Sequence, residues 1–171
     1  MDKAFIGGFA LGLFMVAMVV YLLRKAGKSG PCKYDERQEL QRGRAFKYGF
    51  FTLLIYDLLM GAVYSGGWPG WCDMFVFQCI GAGIALMVFI SCCIWKDAYI
   101  SLTEQPKKVC VLLVVAVLVN VAGGVMNAVN RQVFTENALN FGAVNFIFAA
   151  VLLVVLVEFL LKLWLDQKRA E

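Results

Sequence analysis

The sequence predicts an all-α fold, a polytopic membrane helix bundle with five transmembrane helices. Three observations carry this expectation. Hydrophobic residues make up 61% of the 171-residue chain and charged residues only 16%, whereas soluble domains run nearer half apolar and a quarter charged. Five segments reach the roughly 20 apolar residues that a helix needs to cross about 30 Å of hydrocarbon. The basic residues gather in alternate connections. The length suits a single integral membrane domain over 1–171.

The first segment, 4–23, has a long apolar core, and no small-x-small cleavage site precedes "RKAGKSG". It reads as a retained helix, not a signal peptide. The loop 24–44 begins with a flexible stretch containing Gly27, Gly30 and Pro31. Beyond it, Asp35 is a good N-cap and Gln38 falls at the capping-box spacing. Asp35, Glu36 and Glu39 come early and Arg42, Arg44 and Lys47 late, an order that suits the helix dipole. A short cytoplasmic helix is expected from about Glu36, running on into the second segment, 45–64, with Gly43 as a place to bend. The Gly- and Pro-bearing "SGGWPGW" separates it from the third segment, 74–95. "TEQPKK" then introduces the fourth, 109–130, and the fifth covers 141–161.

Of the 16 Lys and Arg residues, all but Lys3 and Arg131 lie between Arg24 and Lys47, at Lys96, Lys107 and Lys108, or at Lys162, Lys168 and Arg169. The positive-inside rule then puts the N-terminus outside and the C-terminus in the cytoplasm. Aromatic anchors agree, with Trp68 and Trp71 outside and Trp95, Tyr99 and Trp164 inside. Basic residues sorted to one bilayer face argue against a nucleic-acid partner.

The chain has no histidine. This removes the commonest general base and metal ligand, and with them Ser-His and Cys-His pairs. The six cysteines form no CxxC pair. Cys72 and Cys79 would stand about 10 Å apart on a helix, too far for a disulfide, so the cysteines read as free thiols packing like small apolar residues. Cys32 is the one placed in the inner loop. With no paired deep carboxylates and no phosphate-binding loop, no enzyme, cofactor or metal site is expected.

The run Tyr34-Asp35-Glu36-Arg37-Gln38, followed by Arg42-Gly43-Arg44-Ala45-Phe46-Lys47-Tyr48-Gly49, resembles a juxtamembrane motif of small multi-pass membrane proteins from Gram-positive, clostridia-like bacteria. The resemblance implies an integral protein of the bacterial plasma membrane. It brings no activity, substrate or catalytic residue.

In the expected topology Asp57, Gln78, Asn120, Asn127, Asn130 and Asn145 all fall in the middle-to-outer half of the membrane. Asn120, Gly123, Gly124, Asn127 and Arg131 share a face of the fourth segment, and Asp57, Gly61 and Tyr64 share one of the second. A carboxylate at mid-helix costs about 2.5–3.5 kcal/mol on insertion scales, so these faces are expected to turn inward. Two readings stay open: interhelical hydrogen bonding, or an outward-facing polar cavity in which Asp57 binds a proton, a cation or an amine. Arg131 is the ionic partner the sequence offers Asp57. Glu158 and Lys162 have i,i+4 spacing, and an interfacial ion pair is expected there. Ala4, Gly8 and Gly12 on the first segment, Gly81 and Ala85 on the third, and Gly124 and Ala128 on the fourth form small-residue strips suited to helix packing.

These features point to a non-catalytic accessory or regulatory subunit. Beyond the lipid bilayer, its expected partner is a membrane protein or a second copy of the chain. The charged residues Asp35, Glu36, Arg37, Glu39, Arg42 and Arg44 are the expected docking surface, and lipid headgroup contact is their plainer use. The alternative is a small oligomeric transporter or channel that uses Asp57.

Overall fold

A computed structural model describes residues 34–67, 70–102, 104–130, 133–135 and 138–170. The first apolar segment, Cys32 and Arg131 lie outside the described residues. Within them are four helices long and apolar enough to cross a membrane: α1 (Glu36–Ser65), α2 (Met74–Trp95), α3 (Pro106–Val129) and α4 (Val144–Ala170). Strands β1 (Phe134–Thr135) and β2 (Ala138–Leu139) pair antiparallel between α3 and α4.

Local chemistry sets the helix ends. Asp35 caps α1 through a complete capping box: its carboxylate accepts from the Gln38 amide N–H at 2.6 Å, and the Gln38 side chain accepts from the Asp35 N–H at 3.3 Å. The helix continues through Gly43 and stops at Gly66 and Gly67, where φ reaches 109°, a conformation glycine adopts without strain. α3 opens on Pro106, where the missing N–H costs no helical bond. A 3-10 turn over Phe141–Ala143, capped by Asn140, leads into α4. α4 extends past the expected Leu161 to Ala170, because Lys162, Asp166, Lys168 and Arg169 continue the helix and the two last cations favour its C-terminus.

The packing order differs from the chain order. α1 packs on α2, α2 also packs on α4, and α4 packs on α3. α2 and α4 form the middle, and α1 and α3 occupy opposite flanks. At the α1–α2 seam, Gly81 leaves room for the Tyr56 ring, and Gly49 approaches the Ala85 carbonyl. The Tyr56 hydroxyl donates to the Phe77 carbonyl at 2.8 Å. At the α2–α4 seam, Gly83 lies beside Val151. At the α3–α4 seam, Gly124 lies under the Phe146 ring. Ile94, Leu113, Val155 and Phe159 close one end of the bundle, and Cys72, Val76 and Phe77 the other. Cys72, Cys79, Cys92, Cys93 and Cys110 are free thiols.

The outside of the bundle is apolar. Leu112 is 70% exposed and Val129 77%. In water such surfaces would associate; in a bilayer they face lipid tails. The described residues thus form a multi-pass membrane protein, helical but for one short strand pair.

Candidate functional site

Two groups of polar residues can be built up from this frame. The first lies at the end where α1 begins and α2 and α4 finish, here called the charged end. Its hub is Asp97, just after α2, which is exposed and holds φ at 57°. A non-glycine residue in this left-handed region carries backbone strain that its surroundings must support. The surroundings are dense in contacts. Lys162 of α4 meets the Asp97 carboxylate at 2.9 Å and that of Asp166 at 3.0 Å. Arg37 of α1 approaches Asp97 at 3.6 Å. The Gln38 side-chain amide donates to the carbonyls of Asp97 (2.8 Å) and Ile100 (3.2 Å). Arg42 donates to the Ala98 carbonyl at 3.4 Å and stacks over the Tyr34 ring.

Beneath the hub, Tyr99 packs edge-on against Phe159, with ring centroids 5.7 Å apart. Burial raises the Tyr99 hydroxyl pKa above its ordinary value, and the Glu104 carboxylate raises it further. The cleft here, lined in part by Tyr99, Lys162 and Asp166, has a volume of only about 130 Å³. The arrangement ties α1, α2 and α4 together.

The residues of the expected docking surface divide into two sets. Asp35, Arg37 and Arg42 make contacts within the chain. Glu36, Glu39 and Arg44 remain exposed, and no ion pair joins them to other described residues. Glu158 does not pair with Lys162 as its spacing suggests. Lys162 turns to Asp97 and Asp166 instead, since one ammonium there meets two carboxylates. The Oε2 atom of Glu158 is buried without a hydrogen-bond partner among the described residues. Asp97 has no counterpart among the expected site residues. Its only sequence signal is an acid directly after a helix-ending Trp-Lys.

The second group comprises the polar residues within the helices, and the structure separates them. Asn127 donates to the Gly142 carbonyl at 3.3 Å. Asn145 lies against Gly123, where an added Cβ would stand 2.8 Å from its amide nitrogen. Both belong to the α3–α4 seam. Asn120 bonds within its own helix, to the Ala116 carbonyl at 2.9 Å. Asn130 is exposed and ends α3. Gln78 is exposed on α2. Asp57 is exposed on α1, the helix on the opposite flank from α3. The expected inward cluster of Asp57 with the asparagines is therefore not what the fold builds. Hydrophobic periodicity identifies a face but not the neighbour that covers it.

Among the described residues, no group of His, Cys, Asp and Glu could hold a metal ion. No protein family, curated protein or solved structure matches the chain.

Proposed function

We propose that the chain is a non-catalytic subunit of the bacterial plasma membrane, with its N-terminus outside and its charged end in the cytoplasm, and that it acts by holding another membrane protein. One observation carries this reading: Asp57 stands on the exposed flank of α1, and no ion pair or hydrogen bond reaches it from the described residues. Ionisable groups at membrane depth are tolerated where they meet a partner or a water-filled cavity. Of the asparagines that could have built a cavity with Asp57, Asn127 and Asn145 lie at the far seam, Asn120 bonds within its own helix and Asn130 is exposed. That separation weighs against the transporter alternative and favours a protein partner. Glu36, Glu39 and Arg44 supply a second contact in the cytoplasm.

Chemical crosslinking in native membranes, followed by mild detergent extraction, tests the proposal. The expected result is one stoichiometric partner, weakened by reversing the charges of Glu36, Glu39 and Arg44 together. Recovery of the protein alone under every mild condition would sink it. Solute flux in liposomes that Asp57→Asn abolishes would favour the transport reading.

A further inference from the structure

The two flanks of α1 differ in a way that identifies what one of them meets. The face toward α2 carries Ala45, Gly49, Tyr56 and Met60. Roughly 110° round the helix, Phe50, Leu54, Asp57 and Gly61 follow at i, i+4, i+7 and i+11, the spacing of a helix-packing seam. All four are exposed. A Cβ added at Gly61 would meet nothing within 4 Å. The other flank carries Phe51, Ile55, Leu58 and Leu59, all large, apolar and exposed, as hydrocarbon requires. Only the first flank places a carboxylate beside a residue without a side chain, one turn apart, so that another backbone can come close. It also adjoins an apolar groove of about 470 Å³ between α1 and α2, bordered by Phe46, Phe50, Leu86 and Phe89.

The geometry points to this seam as the seat of a transmembrane helix from a different protein, with a Lys or Arg side chain at the depth of Asp57. That depth is about 12 Å from the end of α1 at Ser65. The inference rests on the proposed role as a membrane subunit and specifies its contact. Charge chooses the occupant. A lipid tail offers Asp57 no donor. A second copy seated parallel on the same seam would set one Asp57 against another, a like-charge contact that opposes association. A basic side chain compensates the carboxylate, and Gly61 admits the backbone that carries it.

Photo-crosslinking amino acids at Phe50 and Gly61, with Phe51 and Leu58 as controls, test this in native membranes. Peptide mapping of the adducts identifies the segment captured. Adducts from Phe50 and Gly61 are expected to map to one transmembrane segment of another protein bearing Lys or Arg, while Phe51 and Leu58 yield lipid adducts. Asp57→Asn should lower the protein adduct roughly three- to tenfold, with the membrane level of the protein unchanged. Asp57→Lys should abolish the adduct, and changing the partner's basic residue to Asp should restore it. If α1 variants fail to accumulate, changing the partner's basic residue alone must still lower the Gly61 adduct. Adducts at Gly61 to a second copy, or to a segment without a basic residue, would overturn the seam assignment. A partner captured only through Glu39 or Arg44 would overturn it too, yet leave the subunit reading standing. Lipid adducts alone at every position would overturn both.

Discussion

The charged end and the membrane interior place their polar residues on opposite plans. At the charged end, Arg37, Gln38, Arg42 and Lys162 come from two helices and converge on Asp97 and the turn that follows it. In the interior, the polar residues are dispersed. Tyr56, Asn120 and Asn127 each donate to a backbone carbonyl, and among the described residues none pairs with Asp57. The difference teaches where each region gets its cohesion. Interior helices are held by close packing on glycine, with Tyr56, Asn120 and Asn127 satisfied one at a time. The charged end is held by one acid that Arg37 and Lys162 share, with Gln38 and Arg42 donating to the backbone carbonyls beside it. Asp57 belongs to neither plan, which is why it reads as a contact for something else.

The largest test of this contrast is Gly81→Leu. No side chain fits there without moving Tyr56, whose ring occupies the space. The substitution should destabilise the fold by about 3 kcal/mol, seen as a lower melting temperature in detergent and loss of an α1–α2 cysteine crosslink. Lys162→Met comes next. The lysine side chain is 13% exposed and meets two carboxylates, so its loss should cost about 1–2 kcal/mol. Low salt should widen this difference, because the partner acids are half-exposed and open to screening. Tyr56→Phe removes one hydrogen bond to a carbonyl and should cost about 0.6 kcal/mol, well below Gly81→Leu, if packing dominates the interior. Arg37→Ala breaks an exposed pair at 3.6 Å and should change stability by less than about 0.5 kcal/mol.

The smallest effect concerns Tyr99, whose pKa is raised from 10.0 in the fold by burial first and Glu104 second. A raised pKa favours folding most below the unfolded value and loses that contribution as pH rises through the folded value. Wild type and Tyr99→Phe should therefore keep a constant stability difference below about pH 10. Above it, the wild type should lose stability faster. Ultraviolet titration of the phenol checks the same shift directly.

Much of this fold was legible because it depends on local chemistry. The Asp35–Gln38 spacing encodes the capping box, and the apolar run Met74–Trp95 fits the third segment end to end. The common face of Asp57 and Gly61 follows from periodicity alone. Adjacency was not legible. The pattern says that Asn127 and Asp57 each lie on a face, but not that α1 and α3 sit on opposite flanks. Lys162 had acids four residues away on both sides, Glu158 and Asp166, and a third from another element joined the second. Asp97 was missed because its role arises where three helix ends meet, and its left-handed φ leaves no mark in composition.

Wild type and Asp57→Lys differ most tellingly in two properties measured together, melting temperature in detergent and partner recovered after crosslinking in native membranes. If Asp57 faces a partner outside this bundle, the melting temperature should hold while the partner is lost. A steep fall in melting temperature with partner recovery unchanged would make Asp57 an internal pin and contradict the claim.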